Sequence, residues 1–497
     1  MKMADTANNF ENFLKQTASA NVVAVVETLT ADLLTPLAVY LKLSRHAAHS
    51  FLFESVEGGE SVGRYSFIGA NPEMVVSGND AQTFVLKNDE LKTLETSLFN
   101  FLREHFADKK ISGVPDLPAF VGGAIGFFGF SCAGWFEKSL KQNDSNGEDA
   151  KLMFFRNIVA FDHAKQIIKI ISLVFTGEAA NDAELKNLYE NAVAENVGIK
   201  EILENQPLLV PDSTFQISDS KAVESNWKRQ DFENAVREIK EMIAAGECYQ
   251  VVLSQCFTRK TNADAVAIYR ALRSLNPSPY MFLLQIGERK IVGASPEMLV
   301  KSIGRKLEYR PIAGTRKRGA TVEEDERLAE EMRNDAKEVA EHLMLVDLGR
   351  NDLGRVAKFG SVTVEDLMSV EKYSHVQHLV SRMKADLRDE FDCFDALAAC
   401  FPAGTVSGAP KVRAMQIIQK LEPTPRGVYS GAVGYIDYSG NLDVCIAIRT
   451  LILENGTAKI QAGAGIVADS VPESEFEETV NKAQALLRTI EIAEGAG

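Results

Sequence analysis

Two runs of this chain each set a pair of carboxylates three residues apart in a helix-forming stretch. KEVAEHLMLVDLGRND holds Glu338 and Glu341, and PESEFEETVNKA holds Glu475 and Glu478, with Lys482 one turn on. Residues at i and i+3 share a helix face, so two helices can deliver four carboxylates to one place. Such a cluster repels itself unless a cation sits within it. Mg2+ takes oxygen ligands and keeps waters while using one or two carboxylates plus substrate oxygens. Two glutamates as ligands and two behind water meet that demand, although either pair alone also fits a solvated helix face. The apolar run Leu343, Met344, Leu345, Val346 and Leu348 predicts a buried first helix, and a buried glutamate needs a partner or a metal.

Between and beside these runs lie three glycine segments: RPIAGTR (310–316), FPAGTVSGAPK (401–411) and QAGAGIV (461–467). Glycine lets backbone N–H groups approach an anion closely. Pro410 before VRAMQIIQKL places GTVSGAP at a helix N-terminus, which favours anions; each segment alone reads equally as a turn. Arg449 in CIAIRTLIL reads as a charge inside an apolar strand. Its fork suits a carboxylate ligand or an internal acid. His375 and His378 are spaced i, i+3 in YSHVQHLV; a histidine facing a carboxylate-rich pocket is a general acid or base, and elsewhere a structural residue. Lys482 reads as a surface partner of Glu478 or as a substrate contact.

The elements that must position these groups are strands as well as helices. The chain has 497 residues and a net charge of −15, enough for two domains or one large core. The acidic balance, with no long Lys/Arg stripe, argues against nucleic acid as a main partner. The six cysteines form no CxxC pair, so neither a zinc ribbon nor a disulfide framework is expected. The N-terminal residues show no apolar signal region, no run is long enough to span a bilayer, and the cytoplasm is the expected compartment. From about Asn21 to Asp182 short β-branched runs predict strands, including KLMFFRNIVAFD and QIIKIISLVF. A helix is predicted over about Asn181 to Asn205 and a Pro/Ser/Asp-rich connector over 206–226. An amphipathic helix with Phe232, Val236, Ile239 and Ile243 on one face then restarts the fold. Short turns such as GERK, YSGN and ENGT favour antiparallel pairing. No repeat of fixed period is visible, and no Walker A or strand–GxGxxG–helix signature indicates a nucleotide.

Seven segments in order, PIAGTR, EHLMLVDLGRND, SHVQHLVS, FPAGTVSGAPK, GVYSGAVGY, CIAIRT and QAGAGIVADSVPESEFEET, resemble the signatures of the chorismate-utilising enzymes. The likeness is strongest to the component I (aminase) branch of anthranilate synthase and covers essentially the whole chain. It implies an α+β fold of large antiparallel sheets packed as a sandwich with helices outside. Residues 1–205 would form an N-terminal regulatory domain, and 227–497 the chorismate-binding catalytic domain.

By position, the resemblance makes Glu341 and Glu478 the Mg2+ ligands, with Glu338 and Glu475 supporting through water. Gly463, Gly465 and Lys482 would meet the ring carboxylate of chorismate, Tyr429 and Arg449 the enolpyruvyl carboxylate. Gly314, Thr315, Thr405 and His378 would face the ring and its leaving group, with His378 and Thr405 catalytic. The implied reaction adds ammonia to the ring as the hydroxyl leaves, then eliminates pyruvate. Ala313 stands where aminodeoxychorismate synthases carry a nucleophilic Lys, and Gln250 where water-adding relatives carry a basic Lys, so both chemistries are disfavoured. The alternatives are aminodeoxychorismate synthase and a non-catalytic paralogue that binds tryptophan or the amidotransferase. No cysteine lies in an amidotransferase elbow, so a separate glutamine amidotransferase subunit, or free ammonia, would supply the amine. Glu54, Ser55, Pro279, Tyr280 and Met281 match a tryptophan pocket for feedback inhibition; Phe53 departs from the family's LLES segment, and GFFGFSCAGWFEK from a Tyr-Asp-containing pattern.

Overall fold

Two antiparallel sheets of twelve strands each form the body of the protein. The structure, a computed structural model, describes residues 9–55, 63–112, 116–140, 148–209, 222–373 and 376–495. The first part of the chain supplies β1 (Val22–Thr30), β2 (His49–Glu54), β3 (Tyr65–Ala70), β4 (Met74–Gly78), β5 (Thr83–Lys87), β6 (Glu90–Leu94), β7 (Gly123–Phe128), β8 (Ala150–Phe155), β9 (Asn157–Asp162) and β10 (Ile167–Phe175). The remainder supplies β11 (Val223–Ser225), β12 (Gln250–Lys260), β13 (Tyr280–Ile286), β14 (Arg289–Ser295), β15 (Met298–Ile303), β16 (Lys306–Tyr309), β17 (Ile312–Lys317), β18 (Thr363–Lys372), β19 (Val376–Asp386), β20 (Gly408–Ala409), β21 (Ala432–Asp437), β22 (Leu442–Ile446), β23 (Thr450–Glu454) and β24 (Thr457–Ile466).

One sheet runs β1-β10-β9-β3-β2-β13-β14-β23-β24-β12-β11, with the short β20 also on β12. The other runs β17-β19-β16-β15-β22-β21-β7-β8-β4-β5-β6, with β18 on β19. Both orders are nearly palindromic about their centres, β2·β13 and β7·β21, and this exposes a duplication. GANPEMVV at β3–β4 recurs as GASPEMLV at β14–β15, and GAIG in β7 as GAVG in β21. At the centre of the second sheet Gly126 pairs with Gly434. A Cβ on Gly126 would lie 2.0 Å from the Lys151 carbonyl oxygen and one on Gly434 2.1 Å from that of Asp443, so neither position admits a side chain. A fixed period is absent because the second copy carries an insertion. Where a two-residue turn joins β5 to β6, the path from β16 to β19 includes β17, the helices Val322–Asn334 and Ala336–Gly354, and β18.

Strand alternation builds the layers. Phe51, Phe282 and Leu284 point inward, into a cluster shared by the two sheets with Phe154, Val300 and Ile436. Their neighbours Leu52 and Leu283 point outward, under helices carrying Tyr40, Tyr269 and Leu486. This is the expected sandwich with helices outside. Both sheets and the inner cluster draw on both parts of the chain. The predicted helix appears as Asp182–Asn205, capped by the Asn181 side chain. Of the predicted connector, 210–221 lies outside the described residues, and Val223–Ser225 is strand β11 rather than linker. KLMFFRNIVAFD, read as one strand, is two: β8 and β9 break at Arg156 and belong to different sheets.

Candidate active site

The site is built where the second copy crosses between sheets. β14 ends in one sheet at Ser295 and β15 begins in the other at Met298, so Pro296 and Glu297 make the step; β22 to β23 returns through Ala447, Ile448 and Arg449. The two steps are stitched together. The Ser295 hydroxyl donates to the Ile446 carbonyl at 2.7 Å, Ile446 N–H donates to the Glu297 carbonyl at 3.0 Å, and Ala294 N–H donates to the Arg449 carbonyl at 3.1 Å. Arg449 is therefore not inside an apolar strand, as its flanks suggest. It has a φ of 48° and sits on the link between β22 and β23. The apolar run CIAIRTLIL hides the break because both flanking strands are buried.

Glu297 is a candidate functional residue that motif reading missed. Its side chain is buried. Burial pushes its pKa up to about 8, while the Thr405 hydroxyl and the Arg449 charge pull the other way. Burial also lowers the pKa of Arg449, opposed by Glu297. Arg449 is nonetheless an exposed residue, so its surroundings strip water from it only in part. Thr405 Oγ1 is buried and, this approach to Glu297 aside, has no hydrogen-bond partner. Pro410, expected in the first turn, is the N-cap of the helix Lys411–Leu421, and GTVS is itself a short helical turn, Gly404–Ser407.

Tyr429 and the glycine strand stand next to this step. A Cβ on Gly463 would lie 2.8 Å from the Tyr429 hydroxyl, and one on Gly465 would lie 2.5 Å from Gln250 Nε2. These glycines leave β24 open to Tyr429 and Gln250 instead of covering them. Burial raises Tyr429 to about 12, against the pull of Arg426, so it is a neutral donor at ordinary pH. Gln250 Oε1 is buried without a hydrogen-bond partner. Lys482 donates to the Gly463 carbonyl at 2.9 Å and pairs with Glu478 at 2.7 Å, as the first reading of this lysine expects.

Sheet register delivers the histidine. β17 and β19 pair Thr315 with His378, and the bulge at Gly314, whose φ is 61°, turns its carbonyl inward. His378 Nδ1 lies 2.9 Å from that carbonyl oxygen and 3.1 Å from Thr315 Oγ1. Since a carbonyl only accepts, Nδ1 carries the proton and Nε2 is the basic nitrogen. His375 lies outside the described residues.

The carboxylates arrive on Ala336–Gly354 and Pro472–Ala493. Asp335 caps the first helix by accepting from Lys337 and Glu338 N–H; Pro472 opens the second, where its missing N–H costs nothing. Burial raises the pKa of Glu341, reinforced by Glu338 and Glu478, and that of Glu475, reinforced by Glu478 against Ser470. The helices do converge. The first is less buried than its sequence suggests: His342, Leu345 and Val346 face inward, but Glu341, Leu343 and Asp347 are exposed. Glu338 pairs with Arg316 at 2.8 Å. Among the described residues no three His, Cys, Asp or Glu side chains close into a cage. Hard oxygen donors, two of which have their pKa raised by burial and by neighbouring carboxylates, nonetheless fit a divalent cation, whose charge would relieve the repulsion. Thr315, Val376, Glu478 and Lys482 line an open cleft of about 1020 Å3.

The second set of predicted binding residues meets at the centre of the first sheet. β2 and β13 pair Glu54 with Met281, with Ser55 and Pro279 at the adjoining strand ends. Glu54 accepts from the Tyr269 hydroxyl at 2.5 Å and meets Arg273 at 3.4 Å. The Tyr280 hydroxyl donates to Asp443 at 3.0 Å. Ser55 Oγ is buried and has no hydrogen-bond partner.

The profile of the chorismate binding enzyme family matches residues 41–488. The chain belongs to this family. Curated relatives include "Anthranilate synthase component 1" of Acetivibrio thermocellus, 45% identical over 95% of this chain and 96% of that protein, and that of Aquifex aeolicus (strain VF5), 42% identical over 98% of both. Among solved structures, anthranilate synthase component I from Streptococcus pneumoniae TIGR4 aligns at 35% identity with a TM-score of 0.72, over 93% of this chain and 99% of that one. The Escherichia coli isochorismate synthase MenF, 21% identical with a TM-score of 0.69, shares the fold across 97% of this chain and 98% of its own.

Proposed function

We propose that the chain is the aminase component of anthranilate synthase, converting chorismate and ammonia to anthranilate, pyruvate and water. One observation supports this reading: the buried Glu297 carboxyl, its pKa pushed up to about 8 by burial, faces Thr405 and Arg449. That is a proton donor placed for a hydroxyl leaving group. Arg449 and the neutral Tyr429 hydroxyl hold the enolpyruvyl carboxylate. Lys482, Gly463 and Gly465 hold the ring carboxylate, and Gly314 and Thr315 face the ring and its leaving group. Glu297 gives its proton to the departing hydroxyl as ammonia attacks, and His378 Nε2 then takes the ring proton as pyruvate leaves. Mg2+, held by Glu341 and Glu478 with Glu338 and Glu475 behind them, supplies electron withdrawal through the ring carboxylate when bound.

The choice of nucleophile rests on two neutral residues. Ala313, paired with Leu379, cannot attack the ring as a lysine would. Gln250 offers an amide oxygen that accepts from ammonia and cannot deprotonate water. A glutamine amidotransferase subunit is the proposed source of ammonia. Residues 1–205 form the regulatory part, whose Glu54 and Ser55 bind tryptophan together with Pro279, Tyr280 and Met281 at the start of β13 in the catalytic part, residues 227–497.

The test is direct. The purified chain, given chorismate, Mg2+ and ammonium at alkaline pH, is expected to produce anthranilate fluorescence. Formation of 4-amino-4-deoxychorismate would overturn the assignment. Glu478→Ala is expected to abolish turnover with an unchanged melting temperature; surviving activity would remove the metal assignment.

A further inference from the structure

We infer that Ser295 is a positioning residue, whose hydroxyl holds the Glu297 backbone, and with it the carboxyl, against β22, the strand that Tyr280 also grips. The inference rests on the function proposed above for Glu297. Ser295 is fully buried at the last position of β14, opposite Tyr280 in the β13·β14 ladder. Its hydroxyl has one proton, committed to the Ile446 carbonyl at 2.7 Å, and its lone pair meets Glu297 N–H at 3.3 Å. Ile446 N–H returns to the Glu297 carbonyl at 3.0 Å. Ser295, Ile446 and Glu297 thus form a closed triangle between the two inter-sheet steps. The charged or titratable groups facing the Glu297 side chain, Arg449 and Tyr309, lie on the return step and on β16. The triangle fixes the distance between one step and the other.

Tyr280 grips the same hairpin at a second point. Its hydroxyl donates to Asp443 on β22, three residues before Ile446, and Asp443 also pairs with Lys301 on β15 at 3.2 Å. A ligand that moves Tyr280 therefore acts on β22 near its start and, through Ser295, at its end. The two strands leading to Glu297 and Arg449 cannot shift independently. Without the hydroxyl, the Ile446 carbonyl loses its donor and the Glu297 turn loses its tether to β22, with no water path to replace either.

The experiment compares wild type with Ser295→Ala and Ser295→Cys, the latter keeping the shape and a weak donor. In Ser295→Ala kcat is expected to fall on the order of 10–100-fold, with chorismate KM nearly unchanged and Ser295→Cys between the two. Infrared difference titration of the protonated carboxyl that Glu297→Gln removes reads its pKa without turnover; Ser295→Ala is expected to shift it. Tryptophan, measured by calorimetry, is expected to bind Ser295→Ala as it binds wild type but to inhibit it less. A folded Ser295→Ala protein with wild-type kcat and an unmoved carboxyl titration overturns the inference. A wild type that makes no anthranilate instead removes the functional reading, while the titration still decides whether Ser295 positions Glu297.

Discussion

The two copies of the sheet-crossing step use the same residue types for opposite ends. In the first copy, Glu73 stands between β3 and β4 and Arg156 between β8 and β9, as Glu297 and Arg449 stand in the second. There the pair closes: Arg156 donates to Glu73 at 2.5 and 2.9 Å and to Glu178 at 2.7 and 2.5 Å. Burial pushes Glu73 up, but Arg156 and Lys87 outweigh it and leave its pKa lowered. In the second copy Glu297 and Arg449 stay beyond ion-pair distance, and burial wins on both. A closed pair satisfies itself and holds the fold together. A pair kept apart retains a proton to give and a charge to offer a ligand.

The sharpest way to break this comparison is to neutralise each acid. Glu297→Gln is expected to lower kcat by roughly 10²–10⁴-fold, whereas Glu73→Gln leaves kcat at the wild-type level; steady-state assays with chorismate and ammonium check both. Equal losses would mean that the first pair is not merely structural. Next in size is the junction of the two copies. Ser55→Phe is expected to raise the tryptophan concentration for half inhibition by about tenfold or more, because it fills the space beside an unpartnered buried hydroxyl. An uninhibited wild type would remove the regulatory reading.

Stability against pH sharpens the contrast further, because the two acids have opposite signs. The Glu297 pKa is raised in the fold from 4.5 to about 8, so its contribution is fully present below pH 4.5 and is lost as pH rises toward about 8. Glu297→Gln should therefore melt above wild type at pH 8 and match it in acid. The Glu73 pKa is lowered, so its contribution is present above 4.5 and lost as pH falls through the folded value. Glu73→Gln should cost about 2 kcal/mol near neutrality, with the difference closing in acid. Denaturant melts across pH measure both. The smallest effect expected is in nucleophile choice: Gln250→Lys should lower ammonia-dependent turnover and admit a trace of hydroxylated product, read by chromatography.

Much of the site was legible because its residues lie on regular elements. The spacing of Glu338 with Glu341 and of Glu475 with Glu478 needs only helix geometry, and the glycines at 463 and 465 announce a strand that must stay open. Arg449 and Glu297 were not legible in this way. Each sits on a link between two buried strands, where apolar sequence runs on unbroken through a change of sheet. A signal for Glu297 was available in the recurrence of GANPEM as GASPEM, but the insertion that follows the second copy changes the spacing and removes any fixed period.

By itself, the sequence determined the periodicities, the caps and the family signatures, because these depend on neighbours within a few residues. Tertiary structure alone decided which acid and which arginine would pair. That choice depends on the offset between two crossing steps far apart in the sequence, and on how much water the surrounding sheets exclude. Burial and distance set the charge state of Glu297, and neither is written in the residues beside it.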